Sequence, residues 1–425
     1  MGKRSNSSGN IILITLAALS LITGAIGVYF LYQTDADRLQ NLDKVPEDKT
    51  PEMVIVESVL EPEVEVIEQE YTDTDSQPVA GHIDDVLHDL GAGIHNYCFA
   101  HLNDAQQNLY AEIYQTLMTF GSDMPVSTLD PDEIEHAFSC VMLDHPEIFY
   151  VTGYTLTKYT RGSSLEKITF TGKYTMNESD AKSCMNKVEE IADECIANAP
   201  EGGDYERIKY VYEWLIKRCD YELNASNNQN ILSVFLSRKT VCQGYAKAAQ
   251  YLLNKMGMFC ILCEGEAMGR EAHVWNIVKA DGEYYYLDVT WGDASYTLNS
   301  SDSDQLTPPD INYEYMCVPF SEIAGTHTIK ETVTLPVCNS MDDNYYVHEG
   351  LYFDTVSERR LEQVFSDAYQ NGQETVTIKC ADGDSFDAME RYLIDNEHIF
   401  DYLSGNTKVN YLKMEDRRYF LFYLK

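Results

Sequence analysis

At 425 residues the chain is too long for one compact domain and has room for two or three. Its 44% hydrophobic and 12% aromatic content, with 31 tyrosines, can fill real cores and excludes general disorder. With 31 basic against 69 acidic residues the net charge is −38, which repels phosphate backbones and excludes nucleic acid as a natural partner. The plainer meaning of that charge is solubility.

The first element is apolar. Ile11 to Tyr32 reads IILITLAALSLITGAIGVYFLY, with no charge between Arg4 and Asp35. As a helix it spans about 33 Å, enough to cross a bilayer core. Lys3 and Arg4 precede it and Asp35 and Asp37 follow it. The positive-inside rule therefore expects residues 1–10 in the cytoplasm, a transmembrane helix over 11–32 and the bulk of the chain outside. The competing reading is a cleaved signal peptide ending near Thr23-Gly24-Ala25. Apolar sequence runs well past that point and favours an uncleaved anchor. Residues 33–80, rich in Asp, Glu and Pro, are expected to be an acidic disordered stalk.

Residues 83–200 are expected to form a mostly helical α+β region. Tyr110, Ile113, Tyr114 and Leu117 keep helical spacing after a cap at Asn103 or Asp104. Asp130 caps the next helix, Pro131 suits its first position, and Glu133 could complete a capping box. Pro146 ends it, and His145 reads as a structural turn residue. Strands follow at Ile148 to Leu156 and Lys167 to Thr175, around the loop Arg161-Gly162-Ser163-Ser164. Gly202-Gly203 marks the next boundary. From Asp204 a helix carries Ile208, Val211, Tyr212 and Leu215 on one face. Residues 340–425 alternate strand, helix, strand, helix and hairpin, as a small α+β accessory domain would.

Eleven cysteines leave two readings open. One nucleophile plus five disulfides fits an oxidising compartment, whereas buried, unpaired thiols fit a reducing one. Cys260 and Cys263 make a C-x-x-C inside an apolar run, where their odd spacing points them to opposite faces of a strand. No second ligand pair lies nearby, so a metal is not expected there.

The chemistry concentrates between residues 203 and 335. From Cys242 onward Tyr245, Ala246, Ala249, Leu252, Leu253 and Met256 keep helical spacing, so Cys242 opens a buried helix. The free N–H groups and partial positive charge of a helix start favour thiolate over thiol and could hold an oxyanion. A cysteine at such a position is more often structural. The following segments change that balance. Ala272 to Ala280 and Glu283 to Trp291 flank Asp281-Gly282, a two-residue hairpin signal. If Ala280 pairs with Glu283, His273 faces Thr290, and Asp288 lies diagonally on the same face as His273. A thiol, an imidazole and a carboxylate so placed suit attack, proton transfer and orientation of the histidine.

VCQGYAKAAQYLL followed by HVWNIVKADGEYYYLDVTWGD resembles the transglutaminase-like superfamily, in its bacterial membrane or surface branch. The helix from Tyr205 to Tyr221, Tyr313-Glu314-Tyr315 and Thr326-His327-Thr328 resemble that branch too. The resemblance implies a papain-like α+β core and acyl chemistry on an amide through a thioester. It assigns Cys242 as nucleophile, His273 as general base and acid, and Asp288 as orienter. For the aromatic oxyanion donor that some relatives use, Tyr221 and Gln243 are the weak candidates. No calcium-loop pattern appears, Ser301-Asp302-Ser303-Asp304 reads as a solvated loop, and no cofactor is expected. The implied partner is a protein or peptide substrate, cell-wall-associated material included. The alternative is a non-catalytic surface module on the same scaffold, which would have no need of all three residue types.

Overall fold

The computed structural model describes residues 61–72, 83–93, 95–269, 271–293, 309–405 and 408–424, with the strands Ile26–Tyr29, Leu42–Lys44 and Glu52–Ile55. Most of the 11–32 segment and the 301–304 loop thus lie outside the described residues. Within that segment Ile26–Tyr29 pairs antiparallel with Glu52–Ile55 instead of continuing a helix. Among the described residues no helix is long and apolar enough to cross a membrane.

The chain forms two compact units, one of 57–293 with 315–340 and one of 1–56 with 294–314 and 341–425. The helical region expected to end near residue 200 is therefore continuous with the region that follows. Gly202-Gly203 stands just before a helix within the first of these units.

The first unit opens with β1 (Glu63–Glu70), which runs parallel to β2 (Val151–Arg161) from Glu63↔Gly153 to Glu70↔Thr160. This corrects the stalk reading for that stretch. Glu63-Val64-Glu65-Val66 alternates with period two, and every residue of β1 is exposed. A row of carboxylates on an outer strand discourages pairing with another chain. Hairpin partner β3 (Ser164–Tyr174) turns back at Gly162 and Ser163.

Between β1 and β2 lie α1 (Ile83–Ala92), α2 (Asp104–Met118) and α3 (Pro131–Asp144). Asn103 caps α2 in a capping box with Gln106, and Asp130 caps α3 by accepting from the Asp132 N–H. Each cap is worth about 1 kcal/mol. Glu133 does not complete a box; its carboxylate accepts from the Thr128 hydroxyl instead. The stripes Leu109, Ile113 and Leu117 on α2 and Ile134, Phe138 and Val141 on α3 are buried. His145 ends α3 and is buried against Glu147, 2.8 Å from Nδ1.

After α4 (Glu178–Ala197), α5 (Asp204–Arg218) buries the expected Ile208, Val211, Tyr212 and Leu215 completely. Two short parallel strands, β4 (Asp220–Tyr221) and β5 (Lys239–Thr240), lead into α6 (Cys242–Lys255). Next come β6 (Cys260–Ala267), β7 (Glu271–Ala280), β8 (Glu283–Leu287), the single turn α7 (Val289–Gly292) and β9 (His327–Lys330). They form an antiparallel sheet in the order β8-β7-β6-β9.

The second unit is α+β as expected. Its sheet includes β10 (Tyr352–Phe353), β11 (Thr375–Cys380) and the hairpin β12 (Val409–Met414) with β13 (Tyr419–Tyr423). Helices α8 (Glu358–Gln370) and α9 (Gly383–Glu390) contribute Leu361, Phe365, Phe386 and Met389 to one core with Val376, Ile378, Phe420 and Phe422. Lys379 makes a buried ion pair with Glu314 at 3.5 Å.

All eleven cysteines are free thiols, and every one except the half-buried Cys184 is buried. Cys260 and Cys263 lie in β6 as apolar strand residues, both held as thiols by burial.

Candidate active site

Cys242 begins α6, and the residue before it, Val241, is extended and has no side chain that could cap the helix. By contrast α2, α3 and α4 start on Asn103, Asp130 and Asn177, whose side chains accept first-turn N–H groups. The first turn of α6 thus keeps its donors clear of any capping side chain, beside a fully buried Cys242.

The histidine and aspartate arrive on the hairpin. Asp281 and Gly282 both have positive φ, 46° and 98°, the two-residue turn whose twist matches flanking strands. Ala280 pairs with Glu283 as expected, and the ladder runs to Asn276↔Leu287. There it stops. Asp288 leaves the strand to cap α7, its Oδ1 accepting from Trp291 N at 3.1 Å, so Thr290 is helical and does not oppose His273. The parity argument nevertheless holds at Asp288, whose Oδ2 lies 2.7 Å from His273 Nε2. The Asp288 N–H is fixed by the Tyr315 carbonyl at 3.0 Å.

Asn276 ties this sheet to the cysteine helix, its Nδ2 donating to Ala246 O at 2.9 Å. From the helix side, the Tyr245 hydroxyl lies 2.7 Å from Asp293 Oδ2, at the far end of the Asp288 turn. These bonds couple the frame of Cys242 to the frame of His273 and Asp288.

A second histidine completes the group. Across the sheet β9 brings His327 Nε2 to 3.2 Å from the same Asp288 Oδ2. Trp275 stands 4.9 Å and Trp291 4.7 Å from the His327 ring, and Tyr315 packs edge-on to Trp291. Gly265 opposes His273 in β6, and a Cβ there would meet the Thr328 carbonyl and the Trp275 ring. Only a glycine lets the two strands and the indole close over the site.

Burial alone would lower the His273 pKa, yet the Asp288 carboxylate, its hydrogen bond and Cys242 together raise it to about 10. For Asp288 burial acts upward, but the charges and hydrogen bonds of His273 and His327 hold the carboxyl well below its ordinary range. With Nε2 engaged by Asp288, the buried Nδ1 of His273 is the nitrogen left to exchange a proton with Cys242. The ligand atoms of His273, Asp288 and His327 lie within 4.8 Å of one another, a donor set that could hold a metal ion. The 2.7 Å separation is that of a hydrogen bond; two ligands sharing one zinc would stand about 3.3 Å apart.

Residues 189–289 match the model of the transglutaminase-like superfamily. The chain carries a transglutaminase-like domain. The chain is 24% identical over 105 residues to kyphoscoliosis peptidase of Mus musculus and to that of Homo sapiens, covering 21% of this chain and 16% of either relative. The chain therefore spans less than a fifth of the length of these curated relatives. A solved TGase structure superposes with TM-score 0.25 at 11% identity, covering 37% of this chain and 47% of that one.

Of the residues singled out beforehand, the transglutaminase-like domain brings Cys242, His273 and Asp288 into one buried cluster. Tyr221 pairs with Thr240, two residues before Cys242, and its hydroxyl is buried. Gln243, half-buried, sits in the first turn of α6. His327, Trp275, Trp291 and the Tyr315 carbonyl were not given roles from sequence. Strand pairing places His327 of the Thr326-His327-Thr328 motif at Asp288, and a backbone hydrogen bond places Tyr315 of the Tyr313-Glu314-Tyr315 motif there.

Proposed function

We propose that the domain performs cysteine-dependent acyl transfer on an amide of a protein or peptide. The observation that carries this reading is the buried 2.7 Å bond between His273 and Asp288 beside a cysteine at an uncapped helix start. In the first step Cys242 Sγ attacks the amide carbonyl carbon while His273 Nδ1 holds the thiol proton. The oxyanion faces the first-turn N–H groups of α6, with Tyr221 as the neighbouring side-chain donor. The C–N bond then breaks, the leaving amine takes the proton from His273, and a thioester remains on Cys242. Water resolves it to an acid, or a second amine resolves it to a new amide, and either regenerates the thiol. The relatives' peptidase name supports hydrolysis as the first outcome to assay.

The apolar composition of Ile11 to Tyr32 and its flanking charges support a single-pass anchor with the domain on the extracytoplasmic side, a reading that the pairing of Ile26–Tyr29 with Glu52–Ile55 opposes. Substrates would then be peptides or proteins at the cell surface. A non-catalytic scaffold has no use for a paired, buried imidazole and carboxylate next to a thiol, so it ranks second.

The test is site-resolved iodoacetamide labelling of the full chain, followed by mass spectrometry of glutamine-containing peptides with and without an amine donor. Cys242 is expected to react faster than the more accessible Cys184, and His273→Ala is expected to slow it about a hundredfold. If Cys242 reacts equally in both proteins and no peptide changes mass, the scaffold reading replaces this one.

A further inference from the structure

Acyl transfer as described needs one histidine on Asp288, and the fold supplies two. His327 is buried, and its Nε2 shares Oδ2 with His273 Nε2, while Trp291 N occupies Oδ1. An ionised carboxylate only accepts, so a bond at 3.2 Å requires a proton on His327 Nε2. The other nitrogen gives the same answer. His327 Nδ1 is 2.9 Å from Thr326 Oγ1, which is itself 3.1 Å from the Ile323 carbonyl. If the single hydroxyl proton goes to Nδ1, His327 is neutral with its proton on Nε2. If it goes to Ile323 O, Nδ1 must donate, and His327 is an imidazolium. In both cases Nε2–H points at Asp288.

We infer that His327 is a second positioning histidine, which holds the Asp288 carboxylate aimed at His273 and so sets how fast Cys242 is activated. This rests on the acyl-transfer reading. The titratable groups around Asp288 come from several elements. His273 faces it from β7 and His327 from β9, and Cys242 acts on His273 from α6. Tyr315 packs 6.1 Å from the His327 ring, and Glu271 lies across Ala267 from His327 on the same sheet face. Trp275 and Trp291 pack against the His327 ring, and His273, Asp288 and His327 are all buried, which strengthens each bond to the carboxylate.

Losing one hydrogen bond to a buried charge changes an equilibrium that depends on it by about tenfold. The experiment follows Cys242 alkylation by iodoacetamide against pH in the full chain, with Cys184 as internal reference. Wild type is compared with His273→Ala, His327→Leu and His327→Gln. His327→Leu keeps the volume and removes the donor; it is expected to lower the plateau of the alkylation profile about tenfold, against about a hundredfold for His273→Ala. His327→Gln, whose amide N–H can reach Oδ2, is expected to recover most of that loss. A wild-type profile in His327→Leu overturns the inference while His273→Ala still upholds the acyl-transfer reading. Equal loss of rate in the Leu and Gln variants, with equal loss of thermal stability, makes His327 merely structural and also overturns it. A wild-type profile that changes on treatment with EDTA places a cation, not a hydrogen bond, between the residues and overturns it as well. If wild-type Cys242 labels no faster than in His273→Ala, the acyl-transfer reading fails and this inference falls with it.

Discussion

Both units pack helices on a sheet, yet they bury different things. The second unit seals Phe365, Ile378, Phe420 and Phe422 into an apolar core. Beside it stands the buried ion pair of Lys379 and Glu314. The sheet beside α6 instead buries His273, Asp288, His327 and Asn276, each held by hydrogen bonds. A buried polar group without partners costs free energy that an apolar core does not lose. The polar sheet is the one that would carry the proposed chemistry.

Substitutions can break that contrast on either side. Cys242→Ala is expected to lower acyl transfer by about a thousandfold or more, with little change in unfolding free energy, checked by peptide turnover beside urea denaturation. In the second unit Phe365→Ala should do the reverse. It should lower stability by about 3–5 kcal/mol in urea titration and leave Cys242 labelling of the folded protein within about twofold.

Asp288→Asn tests the polar sheet by pH. His273 has its pKa raised from 6.5 to about 10, so its stabilising share is complete below 6.5 and disappears as pH rises through 10. Asp288 is depressed below 3.8, so its share is complete above that value and is lost only as pH falls through the lower folded value. The stability gap between wild type and Asp288→Asn should be widest between these two unfolded values, in the weakly acidic range, and should close toward pH 10. Thermal melts across pH would show it. In the same variant the pKa of His273 should fall toward its ordinary value, which moves the alkaline limb of acyl transfer down.

Gly282→Ala gives the smallest effect, about 1 kcal/mol of stability, because alanine resists the positive φ of the turn. Labelling of Cys242 should respond less than it does to Asp288→Asn.

Much of this site was legible before the fold. Asp281-Gly282 specified the hairpin, the hairpin specified parity, and parity put Asp288 with His273. The early end of the ladder was missed because the capping bond from Asp288 to Trp291 N competes with strand pairing only once Tyr315 and α6 are packed against it. His327 was beyond reach for a different reason. It enters through β9, paired with β6 across a long separation in sequence, and local periodicity carries no information about such partners. The same holds for β1, whose alternating glutamates and valines read as a stalk until Gly153 to Thr160 supply the other half of the ladder.

The complete burial of Cys242 has a kinetic consequence. Any reagent or substrate must wait for surrounding side chains to part, so the opening frequency sets a ceiling on every rate measured at the thiol. At low reagent concentration the chemistry of the His273 and Asp288 pair governs the rate. At saturating concentration the rate becomes independent of reagent and reports the gate alone. A series of reagents of increasing size would then converge on one limiting rate if a single opening serves them all. It would fan out if larger acyl groups need a wider one, turning the closed thiol into a ruler for the substrate it admits.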